Sequence, residues 1–471
     1  MNTLANAILN EENKTVTANG DLTLKSTLNA VLDFYYQSGA ARQLPDDTVL
    51  NLWKAAFREE SDLSMRALFY LRDIREGLGE RKVTRTVLRW LSQAEPEISI
   101  RIIDRVVEFG RWDDILEMID GDNSVAEAVF TSIFKALESD KAGLAAKWMP
   151  RKGIVAARVR GFKGMNEANW RKLLVSKTDV VEQKMCAKDW ENINYSAVPS
   201  VASGRYAKAF RRNDEAGYAA YMESVTTGKV NEKTGRVEKI NTEALYPYSV
   251  RKMPADTAQA AWDNLKDFVG NESFIPVIDT SGSMTWTEVS PGLQPLDVAV
   301  SLGVYMAERN KSAFKNLILN FDTTPKWTKV NPNIHIHDRF RVIEGMHVGG
   351  STDFDKAMSA IVDLAIQNNV PATDMPKFLL IFSDMQFNAY LCGQTASQRT
   401  IQKFKDAGYE VPILVWWNLN SAFGNVPVKA DDKGMILVSG FSAALMQNLM
   451  AGEVTPLKMM LGTLNKERYN W

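Results

Sequence analysis

The run Phe274-Ile275-Pro276-Val277-Ile278-Asp279-Thr280-Ser281-Gly282-Ser283 decides the fold. Five apolar residues in a row, with no polar residue alternating among them, read as a strand buried on both faces. The strand then stops in a carboxylate and three hydroxyls. Working outward, apolar runs recur at 317–321, 378–382, 411–417 and 435–438. Between them lie helical patterns at 296–308, 353–367, 396–407 and 441–450. Strands buried on both faces and alternating with helices predict a doubly wound, mostly parallel α/β domain over 254–471.

Upstream the pattern differs. Residues 1–24 are polar and aperiodic and read as a flexible arm. From 25 the apolar residues recur at helical spacing, as in Leu28, Val31, Leu32 and Tyr35, or Leu63, Ala67, Leu68 and Leu71, with breaks such as Gly77-Leu78-Gly79 and Gly121-Asp122-Asn123. Asp46 and Ser61 read as N-caps. Helices of that length joined by short turns predict a HEAT-like helical array over 25–253. The polar stretch 228–240 reads as an exposed hairpin or loop. The fold class is therefore α + α/β, a helical-repeat array followed by the α/β domain.

Of 471 residues, 45% are hydrophobic and 24% charged, the balance of a packed protein. No apolar run reaches the roughly 18 residues that cross a bilayer, so no membrane partner is expected. The N-terminus lacks the pattern of a secretory signal, and Cys186 and Cys392 stand far apart, so a cytoplasmic location is expected. The net charge of −1 conceals a strong asymmetry: residues 141–212 carry 16 Lys/Arg against 5 Asp/Glu, a net of +11, whereas 1–140 carry 16 against 24, a net of −8. A basic block favours polyanions unless acidic neighbours neutralise it.

Ligands of doubly wound sheets bind at the carboxyl ends of strands. Three polar clusters should meet there: Asp279-Thr280-Ser281-Gly282-Ser283, Gly349-Gly350-Ser351-Thr352-Asp353, and Ser383-Asp384 after the run 378–382. Asp279 and Asp384 offer carboxylates, and Ser281, Ser283 and Thr352 offer hydroxyls. An all-oxygen set of this kind suits Mg²⁺ or another hard divalent cation. Two carboxylates leave the metal electrophilic enough to accept an Asp or Glu from a partner protein. The bland alternative is a set of helix caps and turns, places that Asp, Ser and Thr also favour. An aspartic-protease reading of Asp279-Thr280-Ser281-Gly282 fails for want of a matching second motif, since Asp322-Thr323-Thr324 lacks the glycine. His335-Ile336-His337 reads as an exposed β-edge rather than a zinc site, and His347 has no partner motif. No phosphate-binding glycine loop is present.

In the basic block, Lys147, Arg151, Lys152, Arg158, Arg160, Lys163, Arg171, Lys172 and Lys177 interleave with Trp148, Phe162 and Trp170, and Arg205, Lys208, Arg211 and Arg212 follow with Tyr206 and Phe210. Cations hold phosphates and aromatic faces stack on unpaired bases, so small structured or single-stranded RNA is the expected polyanion.

The Asp279–Ser283 motif, the loop Thr352 and Asp384 together resemble the metal-ion-dependent adhesion site of von Willebrand factor A domains. The wider layout resembles TROVE-module proteins, the Ro ribonucleoprotein family, and still more their uncharacterised relatives in plants, large viruses and bacteriophages. The residues that carry the likeness are Phe109-Gly110-Arg111-Trp112-Asp113-Asp114, Ala146-Lys147-Trp148-Met149-Pro150, Asp189-Trp190 with Tyr195 and Val198-Pro199-Ser200, Phe382-Ser383-Asp384-Met385-Gln386-Phe387, and Ser439-Gly440-Phe441-Ser442. The likeness spans roughly residues 25–470 and departs from Ro in the long 160–250 region. It implies a helical ring closed by an A domain that binds small structured RNA and single-stranded ends without being a nuclease. The expected function is an RNA-binding scaffold with a Mg²⁺ adhesion site. The alternatives are a metal-dependent protein-interaction module and, third, a metal-assisted hydrolase at Asp279 and Asp384.

Overall fold

A computed structural model describes residues 3–139, 142–178, 180–242, 245–345, 351–390, 392–422, 424–448 and 454–471. The chain forms two compact units, each discontinuous in sequence: residues 1–67, 246–251 and 267–470 make one, and 68–245, 252–266 and 471 the other. The mixed α and α/β class is observed, with many helices in the N-terminal part and a mostly parallel sheet in the C-terminal part.

Ten strands are described. β1 (Lys14–Val16) and β2 (Leu22–Leu24) form an antiparallel pair, and β3 (Val230–Asn231) with β4 (Arg236–Val237) closes the hairpin expected over 228–240. The main sheet holds β5 (Phe274–Asp279), β6 (Leu317–Phe321), β7 (Lys326–Lys329), β8 (Phe378–Ser383), β9 (Ile413–Asn418) and β10 (Met435–Ser439) in the order β10-β9-β8-β5-β6-β7. Every neighbour is parallel except β6–β7. β5 and β8 are buried at every position, as unbroken apolar runs require. The chain lays β6 on one side of β5 and then returns to lay β8 on the other. The strand order therefore reverses between β5 and β8, and a crevice opens at their carboxyl ends.

Helices cover this sheet close to where the periodicity places them: Pro295–Arg309, Phe354–Gln367 and Ala396–Asp406. The first starts with Pro295 at its first turn and a reciprocal Gln294–Asp297 capping box. For the stretch 441–450, a 3₁₀ turn over Ala443–Asn448 is observed, and residues 449–450 lie outside the described residues. Asp46 and Ser61 are not N-caps but the first helical residues of Asp46–Glu59 and Ser61–Arg72, and Pro45 holds the N-cap position of the former without a side-chain hydrogen bond.

In the second unit, Lys82–Ala94 buries Val83, Val87, Leu88 and Leu91 on one stripe, and Pro96–Phe109 buries Ile102, Ile103, Val106 and Phe109. Asn123–Glu138 follows, with Asp122 capping through its side chain. The basic block lies on Ala142–Trp148, Gly153–Gly161, Glu167–Lys177 and Ser200–Asn213.

Three further expectations are corrected. Residues 14–24 are not a loose arm: Leu24 and Val426 exchange backbone hydrogen bonds at 3.1 and 2.9 Å, and Asn13, Thr17, Asp21 and Thr23 are buried. With them, residues 25–67 belong to the sheet-containing unit rather than to the helical one; for example, the Ser421 hydroxyl donates to Gln37 O at 2.7 Å. His335-Ile336-His337 is not a β-edge. His335 caps the helix Ile336–Glu344, its ring accepting the His337 amide at 3.2 Å.

Trp417 is fully buried in β9, packs its ring at a tilt against Phe382 with centroids 4.9 Å apart and donates Nε1–H to Gly440 O at 2.8 Å. Trp417→Ala should therefore cost about 3–5 kcal/mol, read as a lower urea midpoint of the transition that unfolds the sheet. Trp286, 81% exposed, is the control, and its alanine variant should stay within about 0.5 kcal/mol of the parent.

Candidate metal centre and cationic surface

β5 delivers Asp279 to the crevice and β8 delivers Ser383 and Asp384 beside it. Asp279, Ser281 and Asp384 are buried almost completely. The Ser383 hydroxyl donates to Asp279 Oδ2 at 2.6 Å, and the Ser281 amide donates to Asp279 Oδ1 at 3.0 Å. The Ser281 and Ser283 hydroxyls lie 3.2 Å apart. Gly282 has ordinary helical φ of −58°, so conformational freedom is not its role. A Cβ there would stand 3.0 Å from the Trp286 ring, so its role is space.

Asp384 is the anomalous member. Its Oδ2 is buried and has no hydrogen-bond partner. The residue after it, Met385, is buried yet adopts φ +63°, a left-handed conformation that costs a non-glycine residue free energy. Burial, followed by the neighbouring Asp384 carboxylate, pushes Asp279 up to about 7. Burial also raises Asp384, against the opposing pull of the Ser283 hydroxyl. Two carboxyls that resist ionisation, one with an unsatisfied oxygen, together with two adjacent hydroxyls, fit a hard divalent cation. Among the described residues no group of three or more His, Cys, Asp or Glu could hold a metal, and this set has only two carboxylates.

Asp279, Ser281, Ser283 and Asp384 are thus brought together. Thr352 is buried one loop away, its hydroxyl accepting from Asn19 Nδ2 at 3.5 Å and its amide donating to Asn388 Oδ1 at 3.0 Å. Its predicted companions Gly349 and Gly350 lie outside the described residues, as does His347. Ser383 was placed at this edge by the sequence but given no role, and Asn19 was missed. Asn19 also donates to Gln386 O at 2.5 Å, while Arg399 clasps Asp21 at 2.9 and 2.8 Å, so residues 17–21 brace the loop after Asp384. Asp322, the would-be protease partner, instead accepts the Thr324 amide at 3.0 Å.

In the second unit the cations of the basic block are largely unneutralised. Of Lys147, Arg151, Lys152, Arg158, Arg160, Lys163, Arg171, Lys172, Arg205, Lys208, Arg211 and Arg212, only Arg158 (to Asp120) and Arg211 (to Asp256) form salt bridges within the described residues. Most of the others are exposed. The aromatic residues are less available. Trp170 is core, donating Nε1–H to Pro150 O at 2.9 Å, Phe210 is buried, and the Arg111 guanidinium covers Trp148 at 3.7 Å. Phe162, 40% exposed, remains open.

The Phe109–Asp114 motif is a structural clasp. Buried Asp114 binds Arg72 and Arg85, both at 2.7 Å, and Asp113 binds Arg85 at 2.8 Å and Arg111 at 2.6 Å. Gly110 is required there, because a Cβ would lie 2.4 Å from Asp114 Oδ2.

Comparison with known proteins gives a consistent but functionally silent picture. Residues 273–467 match a family described as "Domain of unknown function (DUF7788)", and residues 17–132 and 167–264 match "Domain of unknown function (DUF2828)". Neither description names an A domain or a TROVE module. The chain is 26% identical to "Uncharacterized protein L728" of Acanthamoeba polyphaga mimivirus, over 96% of this chain and 87% of that protein. Among solved structures it is similar to the Deinococcus radiodurans RO (RSR) protein, at 14% identity and a TM-score of 0.35, over 92% of this chain and 93% of that one.

The carboxylate pair predicts a linked pH and metal response. A folded-state carboxyl raised above its unfolded value of about 3.9 makes the folded state bind more protons, so stability falls as pH rises between about 4 and 7. Without divalent cation, the melting temperature should drop from about pH 5 to about pH 8, and Mg²⁺ should restore it most at the higher pH. At about 100 times its Kd, Mg²⁺ would add about 2.7 kcal/mol. Asp384→Asn should flatten the pH dependence and abolish the Mg²⁺ response, both read by scanning calorimetry.

Proposed function

We propose that this chain is an RNA-binding scaffold of the kind its motifs resemble in Ro ribonucleoproteins, with a Mg²⁺ adhesion site in a von Willebrand factor A-type domain. The observation that carries the RNA reading is the set of cations over 147–212 that have no salt-bridge partner among the described residues. Had the acidic first 140 residues neutralised this block, more than two of the twelve would be paired. Unpaired guanidinium and ammonium groups on adjoining helices take phosphates and release the polyanion's counterions on binding. Phe162 is the exposed aromatic face among them, so base stacking would add little and sequence preference would be weak.

In the sheet unit, Asp279, Ser281, Ser283 and Asp384 would hold the cation, with Thr352 approaching from the neighbouring loop. The metal would supply an electrophilic point for an acidic group of a partner protein. Binding, not turnover, is the role we assign to it. Metal-assisted hydrolysis would need a general base, for which His335 is an unsuitable candidate because its ring nitrogen is committed as a helix cap. The unpartnered Asp384 Oδ2 favours a second reading, a protein-interaction module in which the metal does all the recognition and RNA has no part.

The two readings separate in one experiment. Protein purified in low salt should carry nucleic acid, seen as a raised 260/280 nm absorbance ratio. Its affinity for single-stranded RNA should fall with salt, with a slope near −0.7 per phosphate contact. Reversing Arg151, Lys152, Lys163 and Lys172 to Glu should flatten that slope and remove the co-purified RNA, whereas Asp279→Asn should leave RNA binding intact. Clean protein that ignores both structured and single-stranded RNA, but retains a partner only in Mg²⁺, would establish the second reading instead.

A further inference from the structure

The amino ends of β9 and β10 lie on the sheet edge opposite Asp279 and Asp384, and they frame a cavity of about 680 Å³. Its walls are the helix Ala396–Asp406, the β1–β2 hairpin and the segment 427–435. The hairpin is fixed in place by the Leu24–Val426 backbone pair and by Ala430 N–H donating to Thr27 O at 3.0 Å. The volume is that of a small-molecule site, which ordinarily spans roughly 300–1,000 Å³.

The lining has two chemistries. Leu24, Ile401, Val428 and Met435 contribute an apolar body. The hydroxyls among the lining residues are already engaged: Thr395 closes a capping box with Gln398, and the Ser397 hydroxyl donates to Pro427 O at 3.2 Å. The charged residues are Lys14, Lys405, Lys429, Lys433 and Asp432, four cations against one carboxylate. Lys14 is paired with Glu11 at 2.6 Å, but Lys405 forms no ion pair among the described residues. Asp432 spends one oxygen on the Lys429 amide at 2.8 Å, and burial holds its carboxyl above the usual range even with Lys429 nearby. The site is therefore dry enough to favour alkyl groups and positive enough to require an anion.

The geometry points to a binding site for a small amphipathic anion, an alkyl or aryl body carrying one carboxylate or phosphate, with the body on Ile401 and Met435 and the head on Lys405 and Lys429. Nothing in this assignment depends on the cation at the opposite edge. Titration calorimetry of the full chain with sodium decanoate, decyl phosphate and decanol, each below its micelle threshold and in EDTA, tests it. Decanoate and decyl phosphate should bind at one per chain, and decanol about tenfold or more weakly. Shortening the acid to octanoate and then hexanoate should weaken binding about fourfold per methylene removed. A tighter phosphate than carboxylate would identify the head group the lysines prefer.

Lys405→Gln with Lys429→Gln should lose about tenfold for both anions, and Ile401→Trp should occlude the site for every ligand. Equal binding of decanol, an unchanged affinity in the double-lysine variant of preserved circular dichroism, or no heat with any of the three probes would overturn the assignment. If the lysine variant does not fold, the alcohol comparison and Ile401→Trp decide it.

Discussion

Two carboxylates meet at the one place in a doubly wound sheet where the strand order reverses, and both are buried. That constraint organises everything around it. β5 and β8 are apolar throughout so that they can be covered on both faces, and their ends bring Asp279 and Asp384 to the same crevice. Ser383 and the Ser281 amide each spend a hydrogen bond on Asp279. Met385 accepts a left-handed backbone directly after Asp384, and residues 17–21 brace the loop beyond. A protein that needed only a stable turn would not retain such a pair, because burying like charges opposes folding. Under the proposed function, a divalent cation would resolve the conflict by supplying the positive charge that the two carboxyls lack.

Five of the six strands of the main sheet, the helices at 296–308, 353–367 and 396–407, and the meeting of Asp279, Ser281, Ser283 and Asp384 at one sheet edge were legible because unbroken apolar runs and hydroxyl-rich strand ends leave a strong local signal. The N-terminal hairpin was not legible, for a physical reason. Three-residue strands are too short to show an alternation, and the residues they bury, Asn13, Thr17, Asp21 and Thr23, are polar. Thr17, Asp21 and Thr23 find their partners hundreds of residues away, at Phe387, Arg399 and Val426, which no local window contains. For the same reason Asn19 beside Thr352 could not be foreseen. His335-Ile336-His337 misled because alternating residues suit a strand, while the cap that makes it a helix start depends on a ring nitrogen finding the amide two residues on. β7, too short and polar to announce itself, was likewise missed.

The second unit shows the same contrast between motif and role. Phe109–Asp114 looked distinctive as sequence, and its distinctiveness comes from an ion-pair clasp with Arg72 and Arg85 rather than from a ligand site. Trp170 and Trp148, interleaved with the basic block, are taken up by packing and by Arg111 respectively. What carries the proposed RNA binding is plainer: positive charge over 147–212 that is largely unpaired among the described residues. Such a surface binds by charge and selects weakly, which suits a scaffold more than a sequence reader.

The central claim, that the paired carboxylates exist to hold a divalent cation, is tested most directly by crystals grown with Mn²⁺ and measured at the manganese absorption edge. An anomalous peak within bonding distance of Ser281, Ser283 and Asp384 oxygens, and absent from Asp384→Asn crystals, is the predicted result. An ordered crevice with saturating Mn²⁺, no anomalous peak and Asp279 hydrogen-bonded directly to Asp384 through a shared proton would contradict it.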